Sequence, residues 1–201
     1  MSGDRVPLAA SALPGVRYGS IARFGDERGS FRELWKASTH GSIQPLDAGE
    51  PAGALPRFVQ ANLSTSASGV LRGLHFHRRQ LDHWIVASGR AFVALVDVRP
   101  MLRGDSDRPL VETRELTADE WVDIPIGVAH GFLALEPLQL IYLVTNAYDG
   151  SDELGFAWDD PLAAVAWPAV HETPHGSPIL SDRDRTNPSL TELVGRLRTT
   201  R

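Results

Sequence analysis

The 201-residue chain contains no cysteine. Disulfides, thiol nucleophiles and thiolate metal sites are therefore excluded. Lysine is nearly missing too: of 20 lysines and arginines, only Lys36 is a lysine. Schiff-base or lysine general-base chemistry has that single candidate, far from every motif below. The arginines suit planar, bidentate recognition of phosphate or carboxylate. No apolar run approaches the roughly 18 residues of a membrane-spanning helix, so none is expected. Positive charge is not in surplus either. Twenty basic residues face 25 acidic ones, for a net charge of −5. Neither nucleic acid nor an anionic membrane is advertised as a partner. The N-terminus lacks the charged-then-apolar pattern of a secretory signal, and the expected location is the cytoplasm. No glycine-rich phosphate loop is present, so Rossmann and P-loop readings fall away.

What remains is an ordinary globular composition, 42% hydrophobic and 22% charged. It fits one domain with a proper core. Residues 1–17 read as a leader, 18–188 as the domain and 189–201 as a helical tail. The tail carries Leu190, Leu193, Val194 and Leu197 at helical spacing. Residues 41–56, rich in glycine, proline and alanine, read as a loop or lid. Residues 31–37 fit a helix and a strand equally. The middle of the chain consists of strand-length apolar segments about ten residues apart, the mark of an all-β sandwich or barrel. Segments 83–86 and 91–96 flank Ala87-Ser88-Gly89-Arg90 and read as a hairpin. Further strands are expected at 111–116, 121–124, 132–135 and 140–145, with a tight turn at Pro125-Ile126-Gly127.

Three clusters carry candidate chemistry. In Arg72-Gly73-Leu74-His75-Phe76-His77, strand alternation puts Gly73, His75 and His77 on one face and Arg72, Leu74 and Phe76 on the other. Two histidines facing a barrel interior are unusual for a pure core, and imidazole is the side chain best suited to move protons near neutral pH. Pro125-x-Gly127-x-x-His130 delivers a third histidine just after a turn. The third cluster, residues 140–148, contains Tyr142 and Tyr148. By itself Tyr142 reads as core, and Asp184 as a solvated acid in the charged run Ser181-Asp182-Arg183-Asp184-Arg185. Trp158 and Trp167 read as packing, and Arg78-Arg79 as a solvated turn.

His75-x-His77, then Asp82, then Gly89, followed by Pro-x-Gly-x-x-His, resembles the two motifs of the cupin superfamily. That resemblance implies a double-stranded β-helix, or jelly roll. A longer ordered series is more specific. It comprises Gly25-Asp26-Glu27-Arg28-Gly29 with Phe31 and Glu33, and Phe58-Val59-Gln60 with Asn62. It continues through Val70-Leu71-Arg72-Gly73-Leu74-His75, Ala129-His130-Gly131-Phe132, Tyr142 and Tyr148. Trp158-Asp159-Asp160-Pro161, Trp167-Pro168 and Leu180-Ser181-Asp182-Arg183-Asp184 complete it. This series resembles the dTDP-4-dehydrorhamnose 3,5-epimerase family over nearly the whole chain. The resemblance implies a homodimeric epimerase of a nucleotide-linked 4-keto-6-deoxyhexose that needs no cofactor. It makes His75 the base, Asp184 its carboxylate partner and Tyr142 the acid. It makes Arg28, Glu33, Gln60, Asn62, Arg72, His130 and Tyr148 substrate-binding, some of them reaching across a dimer interface.

The residue types agree with that chemistry. Inverting a carbon beside a ketone needs deprotonation, an enolate and reprotonation from the opposite face. An imidazole, a carboxylate fixing its tautomer, a phenol and an arginine can supply these steps. One segment departs from the family pattern: Gln80-Leu81-Asp82 stands where the family carries a lysine, and His77 where it has no histidine. Two further readings follow. One is a metal-dependent cupin enzyme using His75, His77, Asp82 and His130, a donor set suited to Fe(II), Mn(II), Ni(II) or Zn(II). The other is a non-catalytic sugar-nucleotide binding jelly roll, which would need neither base, nor carboxylate partner, nor phenol.

Overall fold

The computed structural model describes residues 8–36, 58–170 and 176–199. The loop expected at 41–56 lies outside them. Strand β1 is Arg17–Ser20, and β2 (Arg23–Asp26) and β3 (Gly29–Arg32) form a hairpin, so the ambiguous segment begins as a strand. There follow β4 (Gln60–Ser66), β5 (Leu71–Phe76), β6 (Asp82–Ser88) and β7 (Arg90–Asp97). Then come α1 (Arg99–Arg103), β8 (Leu110–Thr117), β9 (Glu120–Ile124), β10 (Val128–Ala134), β11 (Leu138–Val144) and β12 (Leu154–Gly155). Helices α2 (Asp182–Thr186) and α3 (Leu190–Thr199) end the described chain. No helix among the described residues is long and apolar enough to cross a membrane.

Two five-stranded antiparallel sheets face each other, β1-β9-β6-β11-β4 and β12-β5-β10-β7-β8. This is the all-β jelly roll expected from the motifs. From β4 to β7, and again from β8 to β12, consecutive strands alternate between the sheets, which corrects one detail. The segments around Gly89 are not a hairpin: β6 belongs to one sheet and β7 to the other. A single residue, Gly89, turns the corner with φ +84°. A Cβ there would lie 2.2 Å from the Pro137 carbonyl oxygen. Hairpin and corner share the same strand–turn–strand pattern in sequence, so only the packing tells them apart.

The core has two main layers. Trp84, Val86 and Leu140 of the first sheet meet Val93, Leu95 and Phe132 of the second. The outer face of the second sheet is buried as well, with Leu74, Phe76, Ala94 and Val96 under Leu190, Leu193 and Val194 of α3. Burial on both faces is why β7 reads as a continuous apolar run rather than an alternating one. Each fully buried side chain of this kind contributes roughly 1.5–3 kcal/mol. Helix α3 is thus part of the domain rather than a tail. A reciprocal cap starts it. Ser189 N–H donates to Glu192 Oε2 at 2.9 Å and Glu192 N–H to Ser189 Oγ at 3.3 Å. The leader is also corrected, because Leu13 and Val16 are buried in the inter-sheet core.

Two glycine substitutions test this account with opposite signs. Gly89→Ala should cost about 2–3 kcal/mol, from positive φ and overpacking. Gly195→Ala, in α3 with open space around its Cβ, should gain about 0.5–1 kcal/mol. Urea unfolding of both variants measures the two shifts.

Candidate active site

An open cavity of about 440 Å³ lies between the sheets, within the usual size range of small-molecule sites. The first sheet contributes Asn62, Asp82, Trp84 and Tyr142, and the second contributes Arg72, His75 and His130. All seven of these positions, with Gln60, His77 and Tyr148, reach it.

Simple alternation would have sent Arg72 and His75 to opposite faces, and that expectation is corrected. His75 pairs with His130 and Arg72 pairs with Phe132, so three steps along β5 match two along β10. This bulge inserts one residue into β5 and turns both side chains into the cavity. It needs two glycines. Gly73 has φ +136°, and a Cβ on it would sit 2.6 Å from Gly131 Cα. Arg72 is then oriented by its Nε–H donating to Ser66 Oγ at 3.1 Å.

His75 Nε2 lies 2.8 Å from Asp184 Oδ1. Asp184 is buried, and burial works to raise its carboxyl pKa. The hydrogen bond and charge of His75, with the Ser181 hydroxyl, outweigh this and hold it below the usual carboxylate range. The ionised carboxylate accepts a hydrogen bond from Nε2–H, so in the neutral ring Nδ1 keeps its lone pair and is the basic atom. Helix α2 delivers Asp184. Ser181 Oγ accepts from Asp184 N–H at 3.1 Å and donates to Asp184 Oδ2 at 2.9 Å. Ser181-x-x-Asp184 is a capping-box spacing that sequence reading could have used, although it does not reveal the partner 109 residues away. Tyr142 stands in the opposite sheet, between Asn62 and Trp84 in register. Its hydroxyl pKa is raised by burial and by the Asp82 charge, against a lowering by Arg72, so it stays protonated at neutral pH.

His130 is buried, with Trp84 edge-on to its ring at 5.0 Å. Burial pushes its pKa down to about 4 although Asp82 pulls upward. It is a neutral imidazole. The four-residue metal set is corrected: among the described residues His77, Asp82 and His130 cluster, while His75 is turned to Asp184.

The match to known proteins follows this geometry. Residues 10–192 match the family model described as dTDP-4-dehydrorhamnose 3,5-epimerase. A dTDP-4-dehydrorhamnose 3,5-epimerase from Pseudomonas aeruginosa is 34% identical over 181 residues, covering 87% of this chain and 90% of that one. The chain belongs to the dTDP-4-dehydrorhamnose 3,5-epimerase family. Among solved structures, the Legionella pneumophila epimerase in complex with dTDP-4-keto-L-rhamnose superposes with TM-score 0.76 at 27% identity, covering 96% of each chain. A 4-keto-6-deoxy sugar epimerase from Streptomyces spheroides gives TM-score 0.74 at 27% identity, over 96% of this chain and 94% of that one.

Two positions that the epimerase resemblance assigned to substrate are not brought to this cavity. Arg28 lies at the exposed tip of the β2–β3 hairpin, paired with Asp26. Glu33 follows β3 and does not line the cavity. Among the charged lining residues, Glu153 and Arg183 escaped the sequence reading, and they form an ion pair at the cavity. They are 30 positions apart, and no spacing rule could have joined them. The Arg78-Arg79 turn is exposed as expected, its backbone N–H groups donating to Asp152. Trp158 and Trp167 pack together, Trp167 Nε1–H donating to the Trp158 carbonyl at 2.8 Å.

The depressed Asp184 pKa has a signed consequence. Its ordinary value is 3.8 and the folded value lies lower. The stabilisation is therefore present above about pH 4 and is lost as pH falls through the folded value. Between about pH 5 and pH 3, wild type should lose more unfolding free energy than Asp184→Asn, as measured by urea titration at each pH.

Proposed function

We propose that the protein epimerises a dTDP-linked 4-keto-6-deoxyhexose at one or both carbons flanking the ketone, for deoxysugar biosynthesis. His75 Nδ1 removes the proton beside the ketone, and the C–H electron pair moves onto the carbonyl oxygen as an enolate. Tyr142 returns a proton from the opposite face, leaving a phenolate and an imidazolium that re-equilibrate through solvent. Arg72 holds the substrate beside the developing charge, and the neutral His130 lines the same cavity. Gln60, Asn62 and Tyr148 bind the nucleotide end. The observation that carries this reading is one cavity shared by a carboxylate-held imidazole and a phenol on opposed sheets. Mere binding would need neither. The same reading has the enzyme in the cytoplasm, where a cysteine-free chain loses nothing to reduction.

We infer a homodimer that completes each site. The β2–β3 hairpin is exposed along nearly all of its length, with Phe31 68% exposed, and Leu63 on edge strand β4 is 61% exposed. A two-stranded hairpin is marginal on its own, and exposed aromatic and aliphatic surface of this kind suits a second copy. Arg28 and Glu33 on or beside the hairpin would then serve the partner's cavity.

Solvent-deuterium exchange into a dTDP-4-keto-6-deoxyhexose, followed by NMR, tests the chemistry. His75→Ala should lower exchange by roughly 10²–10⁴-fold. Tyr142→Phe should keep wash-in while accumulating little inverted product. Normal exchange in His75→Ala would sink the assignment. Shared sites are tested by mixing: Arg28→Ala and His75→Ala, each impaired alone, should regain activity when co-expressed and mixed, and a monomer in sedimentation would contradict the dimer.

A further inference from the structure

His77, Asp82 and His130 are all buried, and one ligand-capable atom from each lies within 4.8 Å of the others. Each imidazole has its Nδ1 on a backbone carbonyl, His77 on Asp152 O at 2.7 Å and His130 on Val128 O at 3.2 Å. A carbonyl only accepts, so Nδ1 carries the proton in both rings and both Nε2 atoms keep their lone pairs. This is the outer arrangement that metal-ligating histidines use. The carboxylate is held too: Gln80 Nε2–H donates to Asp82 Oδ1 at 2.8 Å and Trp84 Nε1–H to Oδ2 at 3.1 Å. Asp82 Oδ2 stands 3.8 Å from His130 Nε2, beyond hydrogen-bonding distance. Among the described residues no arginine or lysine pairs with Asp82. A buried carboxylate normally has a cationic partner or coordinates a metal.

We propose that His77, Asp82 and His130 bind one divalent first-row transition cation. Two imidazoles and one carboxylate favour zinc, iron, cobalt, nickel or manganese over magnesium or calcium. Three protein ligands leave coordination positions open, and all three residues line the same cavity as His75 and Tyr142. His75 takes no part because it lies outside that cluster, its Nε2 turned to Asp184. A cation there offsets the Asp82 charge beside the developing enolate. That consequence rests on the epimerase reading, whereas cation binding does not.

The experiment uses the full chain, stripped by chelator and titrated without sugar. Co²⁺ is followed by visible absorption, and Zn²⁺ by calorimetry and thermal unfolding. Wild type should bind one cation per chain and unfold at a higher temperature when loaded. His77→Gln and Asp82→Asn should each weaken binding by more than roughly 100-fold. Both keep approximate size, and circular dichroism compares their folding with wild type. His75→Asn should leave binding unchanged. The proposal is overturned if wild type takes up no stoichiometric cation, if folded His77→Gln and Asp82→Asn bind as wild type does, or if His75→Asn abolishes binding.

Discussion

Two backbones in contact set the geometry of the cavity. Gly73 and Gly131 come so close that neither tolerates a β-carbon in place. That approach admits the bulge in β5, and the bulge turns Arg72 to the same side as His75. Without it, strand alternation would bury the guanidinium in the outer layer among Leu74 and Phe76. The second sheet therefore offers an imidazole and a guanidinium together, and the first sheet offers the phenol. In the proposed mechanism these stand as base and acid on opposed walls, as inversion at one carbon demands.

Charge inside the cavity is organised by burial as much as by pairing. Asp184 stays ionised because His75 and Ser181 hold it. His130 stays neutral because burial outweighs its acidic neighbour. Tyr142 keeps its proton because burial and the Asp82 charge together outweigh Arg72. The chain's one lysine, Lys36, is not among the partners of Asp82. In the proposed cation site, the two histidines with anchored Nδ1 atoms make that carboxylate one of three ligands rather than an isolated charge.

The family and its jelly roll were legible from the resemblance carried by ordered short motifs, and an all-β sandwich or barrel from strand-length segments separated by turns. Other features were not. The Gly89 corner has the local sequence of a hairpin, because turn chemistry does not encode which sheet the next strand joins. Arg183 sits in a run of alternating charges that reads as solvent-exposed, yet it lines the cavity with Glu153. Arg28 and Glu33 lie away from the cavity that the resemblance assigned them to, since one chain alone says nothing of where a second would bring its hairpin.

By itself the sequence determined the residue types available for chemistry, the absence of thiols, the strand periodicity and the amphipathic C-terminal helix. These depend on composition and on neighbours a few residues apart. No local pattern joined His75 to a carboxylate 109 positions later; the family resemblance implied the pair and the tertiary structure brings it to 2.8 Å. Only the tertiary structure removed His75 from the metal set and left His77, Asp82 and His130 together. Distance in space between remote segments comes from how two sheets pack, and no local pattern carries that information.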